Sequence, residues 1–151
     1  MAFFGFTFCP DVCPTTLIDI SDWLEALGPD ADRLNVVLIS VDPERDTGKV
    51  LKTYTEFFDP RILGLTGSPA LVRHAADNFR MRYAKVREPG SDNYAMDHSA
   101  GMILLGPDGQ FIRKFAFATP VEARLFSIAW NDDSAMALIL SPEKTTMACR
   151  N

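Results

Sequence analysis

The chain opens with an aromatic run, Phe3 to Phe8, that ends in a turn, a pattern that predicts a short strand. The turn is Cys9-Pro10-Asp11-Val12-Cys13-Pro14, punctuated by its two prolines. A helix is expected next. Pro14 suits a first helical position, and Leu17, Ile20, Trp23, Leu24 and Leu27 recur at helical spacing until Gly28-Pro29 stops the pattern. This reading puts Cys13 at the helix N-cap. Leu34 to Val41 is a near-continuous aliphatic and β-branched run, as expected of a strand buried on both faces of a sheet. A helical segment from about Thr47 to Phe58 and a short strand at Ile62 to Thr66 follow. Pro69 to Phe79 is an amphipathic helix with Leu71, Ala75 and Phe79 on one face. Ala84 to Asp97, which contains Glu88-Pro89-Gly90-Ser91-Asp92-Asn93, reads as a polar surface loop ending at His98. Ala100 to Leu105 and Gln110 to Phe117 make two strands joined by a tight turn at Gly106-Pro107-Asp108-Gly109. Strands alternating with helices and closing on a hairpin predict an α/β sandwich.

Composition narrows this picture. A chain of 151 residues, 47% of them hydrophobic, suits one domain with a sizeable core. Net charge is −5, and the scattered Lys and Arg residues lack the basic footprint that a phosphate backbone demands, so nucleic acid is excluded as a partner. The longest apolar stretches, such as Met102 to Leu105 and Ala135 to Leu140, are far shorter than the roughly 20 residues of a membrane span. Met1-Ala2-Phe3-Phe4 has neither the basic nor the long apolar segment of a signal peptide, so none is expected here. The sequence holds no internal repeat.

The candidate chemistry lies in the cysteines. Three cysteines do not form a disulfide framework, and Cys149, close to the C-terminus, reads as incidental. Cys9 and Cys13 are four residues apart and share one face if the turn between them is helical. A helix N-terminus at Cys13 favours thiolate, the form that binds metals and attacks disulfides. Alone, the C-x-x-x-C pair fits a redox dithiol, a metal site or simple apolar packing. A third donor decides among these, and the chain has two histidines. His74 sits in the middle of a predicted helix and reads as solvated. His98 follows Asp97 at the mouth of a strand, within reach of the neighbouring turn. Two thiolates and an imidazole suit Cu(I) and hold Cu(II) with one weak extra ligand, whereas zinc would call on Asp97 as its fourth ligand.

At these residues a family resemblance becomes visible. Phe4-Gly5-Phe6-Thr7-Phe8-Cys9-Pro10-Asp11-Val12-Cys13-Pro14 resembles the F-G-[FY]-T-x-C-P-D-V-C-P signature of the SCO/SenC copper proteins. Ile39-Ser40-Val41-Asp42-Pro43-Glu44-Arg45-Asp46-Thr47, Gly64-Leu65-Thr66-Gly67, and Asp97-His98 followed by Leu105-Gly106-Pro107-Asp108-Gly109 are similar to family stretches in the same order. The resemblance implies a thioredoxin-like sandwich, a central mixed β-sheet flanked by helices. It would occupy residues 1–130, with the family's leading N-terminal strands truncated and an atypical tail at 131–151. Val121, Leu125 and Ile128 suggest a last helix before that tail.

The resemblance further implies copper ligands at Cys9, Cys13 and His98, with Asp97 orienting the imidazole. It implies delivery of copper to the binuclear copper centre of cytochrome c oxidase, or maintenance of that centre's thiols. Its partners would then be the copper-bearing oxidase subunit and other copper chaperones. Family members are usually held by an N-terminal membrane helix and face the periplasm or the mitochondrial intermembrane space; because this sequence opens at the site-bearing strand, it is expected to be a soluble form with no such tether in view. Position 8, commonly His in the family, is Phe here. The alternative activity is a thiol-disulfide oxidoreductase in which Cys9 attacks and Cys13 resolves. A peroxiredoxin-type peroxidase is disfavoured because no Pro-x-x-x-Thr-x-x-Cys pattern is present.

Overall fold

A computed structural model describes residues 1–87, 90 and 93–117. The expected helix around Val121, Leu125 and Ile128, the 131–151 tail and Cys149 lie outside the described residues. The elements in chain order are β1 (Ala2–Gly5), α1 (Val12–Leu27), a 3-10 helix (Gly28–Arg33), β2 (Val36–Ser40), α2 (Gly48–Phe58), β3 (Ile62–Leu65), α3 (Pro69–Asn78), β4 (Tyr83–Arg87), β5 (Tyr94–His98), β6 (Met102–Leu105) and β7 (Phe111–Phe115).

Five strands form one sheet in the order β3-β2-β1-β6-β7. β1, β2 and β3 run parallel, linked by the crossover helices α1 and α2, while β6 and β7 are antiparallel additions on the other side of β1. This is the mixed sheet flanked by helices that the resemblance implies. Side chains alternate across it, as the pleat requires. Phe3, Leu38, Met102 and Leu104 enter one core cluster with Leu17, Ile20, Trp23 and Leu24 of α1 and Leu51 of α2. Phe4 and Ile103 enter a second cluster with Ala76 of α3 and with Phe6, Cys13, Val41 and Met81. Two helix starts are capped as their sequences suggest. Thr47 accepts the Val50 N–H and Ser68 accepts the Leu71 N–H, each at 3.3 Å, contacts worth about 1 kcal/mol apiece.

Four sequence expectations change. β1 ends at Gly5; Phe6 stays buried beyond it, and Phe8 turns outward, 64% exposed. α1 begins at Val12 with Asp11 as its N-cap, so Cys13 is the second helical residue rather than the cap. α3 buries Val72 and Ala76, whereas Leu71 is exposed. The stretch read as a loop from Ala84 to Asp97 is mostly a hairpin: β4 and β5 pair antiparallel from Tyr83↔His98 to Arg87↔Tyr94 as a separate two-stranded sheet.

Candidate metal centre

Cys9 lies in the turn after the C-terminal end of β1, Cys13 in the first turn of α1, and His98 at the last position of β5. Crevices beyond the C-terminal ends of parallel strands are where open α/β sheets place their sites. The turn is built around a buried carboxylate. Asp46 accepts the Thr7 backbone N–H at 3.1 Å, the Thr7 hydroxyl at 2.5 Å and the Ser40 hydroxyl at 2.6 Å. It thereby fixes the chain two residues before Cys9. The Cys9 N–H donates to the Phe6 carbonyl at 3.3 Å, and the Cys13 N–H donates to Cys9 Sγ at 3.4 Å. Gly5 leaves the room Cys13 needs: a Cβ on Gly5 would stand 2.7 Å from Cys13 Sγ.

His98 reaches this turn from the hairpin. Its Nε2 is 3.8 Å from Cys13 Sγ, its Nδ1 is 3.2 Å from the Ser99 carbonyl, and its ring meets Phe6 edge-on at 5.8 Å. A proton on Nδ1 donates to Ser99 and leaves the Nε2 lone pair toward the sulfurs. The Sγ atoms of Cys9 and Cys13 and a ring nitrogen of His98 all lie within 4.8 Å of one another. A metal–thiolate bond of about 2.3 Å spaces two sulfurs by at most roughly 4.6 Å, so the three donors need only a slight closure to share one ion. The donor set is soft and low-coordinate, which fits copper.

The other sequence candidates are placed elsewhere. Asp97 alternates to the opposite face of β5, opposite Ala84, and is not part of the donor cluster. The Nδ1 partner expected of it is instead the Ser99 carbonyl. Asp97 and His98 both line a cavity of about 310 Å³ with Arg82, Tyr83, Ala84 and Ser99. His74 is exposed on α3 beside Asn78, at 3.2 Å, apart from the cluster.

The thiolate bias expected at Cys13 is also corrected. Burial pushes the Cys13 thiol well above its ordinary value, a backbone hydrogen bond from Phe6 opposes this only in part, and the nearby Cys9 and Asp46 push the same way as burial. Desolvation outweighs the helix N-terminus because Cys13 is 1% exposed. Cys9, by contrast, is half-buried. Sequence reasoning had no chemistry to attach to Asp46, Ser99 or Gly5; the only signal was that Asp46 and Gly5 fell inside family-like stretches.

Comparison with known proteins agrees with this geometry. The SCO1/SenC family model matches residues 1–130. The chain is 40% identical over 131 residues to the mitochondrial SCO2 homolog of Mus musculus, covering 85% of this chain and 51% of that protein. It spans about half the length of the curated relatives it matches, 57% of a Rickettsia felis SCO2-like protein among them. Among solved structures, copper-bound ScoI of Bradyrhizobium japonicum superposes with a TM-score of 0.75 at 40% identity, covering 91% of this chain and 80% of that one. BsSco, a member of the Sco family of cytochrome c oxidase assembly proteins in which a disulfide switch was identified, gives a TM-score of 0.59 at 28% identity, covering 91% and 79%. Among the described residues no helix is long and apolar enough to cross a membrane. With its family model matched across the sheet, the cysteine turn and the histidine hairpin, the chain belongs to the SCO1/SenC family.

Proposed function

We propose that this domain binds one copper ion through Cys9, Cys13 and His98 and passes it to the copper-bearing subunit of cytochrome c oxidase as the binuclear centre is assembled. The convergence of two sulfurs and one imidazole nitrogen within 4.8 Å carries the reading. Copper is cargo in this scheme. Cys13 is buried while Cys9 and His98 are half-buried, so an incoming thiol meets the ion on the Cys9 and His98 side and displaces those ligands first. Loading removes the proton that burial holds on the Cys13 thiol, so copper affinity rises with pH across the neutral range. The functional unit is residues 1–130, supplied by other copper chaperones and facing the periplasm or the mitochondrial intermembrane space, where the oxidase receives its copper. The test is reconstitution with Cu(I) and metal analysis of the wild type against His98→Ala. Reduced retention is expected, along with a weakened thiolate-to-copper absorption band after Cu(II) addition; undiminished binding in the variant sinks the three-ligand site.

A second reading uses the same sulfurs without metal. The more exposed Cys9 attacks a partner disulfide, forming a mixed disulfide and releasing one partner thiol. Cys13 then displaces the second partner thiol, leaving a Cys9–Cys13 disulfide and a partner reduced by two electrons. The placement of both sulfurs within 4.8 Å, with Cys9 outermost, favours this as a companion activity. A wild-type protein that leaves a model disulfide untouched at every redox poise would remove it.

A further inference from the structure

The stretch Asp42 to Thr47 has no ligand in it, yet it touches both halves of the site. β4 and β5 pair only with each other among the described residues, and an isolated two-stranded ribbon is marginal by itself. The position of His98 therefore depends on the side chains that moor the ribbon. Tyr83 and Met96 pack against the second core cluster, Arg73 lies over the Tyr83 ring at 4.1 Å, and Lys85 pairs with Glu44 at 2.7 Å. Arg45 does more than any of these. Its Nε donates to the Asp42 carboxylate and its Nη1 donates to the Tyr94 carbonyl at 3.1 Å. Its guanidinium lies 3.8 Å from the centre of the Tyr94 ring, 4.7 Å from that of Phe8 and 5.9 Å from that of Phe6. The Tyr94 hydroxyl closes the ring of contacts by donating to Asp42 at 2.9 Å.

Tyr94 and His98 are the two ends of one strand. Phe8 precedes Cys9, and Phe6 touches the His98 ring. We propose that Arg45 is a positioning residue for the copper site: by clamping Tyr94 against Phe8 and Phe6, it sets where His98 stands relative to Cys9 and Cys13. Its neighbour Asp46 holds the sulfur-bearing turn through Thr7, so two consecutive residues register the two halves of the site. One guanidinium nitrogen, Nη2, is buried with no hydrogen-bond partner among the described residues, so the guanidinium is held in part by the aromatic rings around it. Lysine keeps the charge but not the planar fork or the stacking, so it is a poor substitute.

The inference rests on the ligand set proposed above, and its test separates the two. Cu(I) affinity is measured by competition for the wild type, Arg45→Lys, His98→Ala and the double variant. Losing a contact that orients a metal ligand costs on the order of 10- to 100-fold in affinity. Arg45→Lys is expected to show that loss in the wild-type background and none in the His98→Ala background. Its Cu(II) form is expected to lose the imidazole nitrogen splitting in electron paramagnetic resonance while keeping the thiolate charge-transfer band. Equal losses in both backgrounds, or no loss where His98→Ala alone weakens binding, overturn the positioning role and leave the ligand set standing. If His98→Ala leaves affinity unchanged, the ligand set fails and the positioning role falls with it. Tyr94→Leu opens the clamp from the hairpin side without touching the charge and is expected to reproduce the same coupling to His98; independence from His98 there also overturns the proposal.

Discussion

At Gly5 the absence of a side chain is what the site requires. A Cβ would lie 2.7 Å from Cys13 Sγ and 3.1 Å from Leu38 Cδ1, so Gly5→Ala must displace a ligand sulfur or a core leucine. Overpacking of this kind costs about 1–3 kcal/mol. The variant is expected to unfold at lower denaturant and to bind Cu(I) more weakly; equilibrium denaturation with a copper competition assay reads both, and an unchanged midpoint would show that the core relaxes at no cost. Residues of this sort mark the limit of reading a sequence. Cys9, Cys13 and His98 advertise their chemistry by residue type, and the donor atoms do meet. Gly5, Asp46 and Arg45 act through space they leave, protons they accept and rings they cover, none of which shows in one dimension. The raised Cys13 thiol is invisible in sequence for a related reason. A helix start is visible in sequence, but the burial that overrides it comes from the core cluster that Cys13 shares with Phe4, Phe6, Val41 and Ile103.

At the scale of elements, strong periodicity was legible and mixed periodicity was not. α1, α2 and β2 follow their apolar patterns to within a few residues. The hairpin was hidden because its two faces contradict the usual code. The face turned toward the core carries Lys85 and Arg87 between or beside Tyr83, Tyr94, Met96 and His98, while the outer face carries the small residues Ala84, Val86 and Ala95. Lys85 can face inward because its ammonium sits 3.9 Å from the centre of the Tyr94 ring and pairs with Glu44. α3 departs from its expected stripe at one position: Ala75 and Phe79 pack against the core, but Val72 and Ala76 are the buried residues and Leu71 is not. The helix buries Val72 at 3% exposure and leaves Leu71 at 64%, so the two positions answer differently to truncation. Val72→Ala is expected to cost about 2 kcal/mol through lost burial and a cavity. Leu71→Ala is expected to stay within about 0.5 kcal/mol of wild type. Thermal or urea unfolding of the two variants checks the assignment, and a larger loss at Leu71 would restore the stripe expected from sequence.

For the molecule as a whole, the sheet that carries the cysteine turn is tied together away from the site by a short polar junction. Asp59 ends α2 and accepts from the Arg61 backbone N–H at 2.8 Å and from its guanidinium at 2.9 and 2.6 Å, while Arg61 also reaches the Leu24 carbonyl of α1 at 3.3 Å. One carboxylate thereby joins α1, α2 and the start of β3. The Arg61 hydrogen bonds hold the Asp59 carboxyl below its ordinary value, with burial opposing them. A carboxyl whose folded pKa is depressed adds stability that is fully present above its unfolded pKa, about 3.9. That stability is lost as pH falls through the folded value. Asp59→Asn is therefore expected to melt below the wild type at pH 7, and the gap is expected to narrow as both are acidified below about pH 4. Melting curves across that range decide the matter. A gap as wide at pH 3 as at pH 7 would mean that shape and neutral hydrogen bonding, rather than the carboxylate charge, hold the junction.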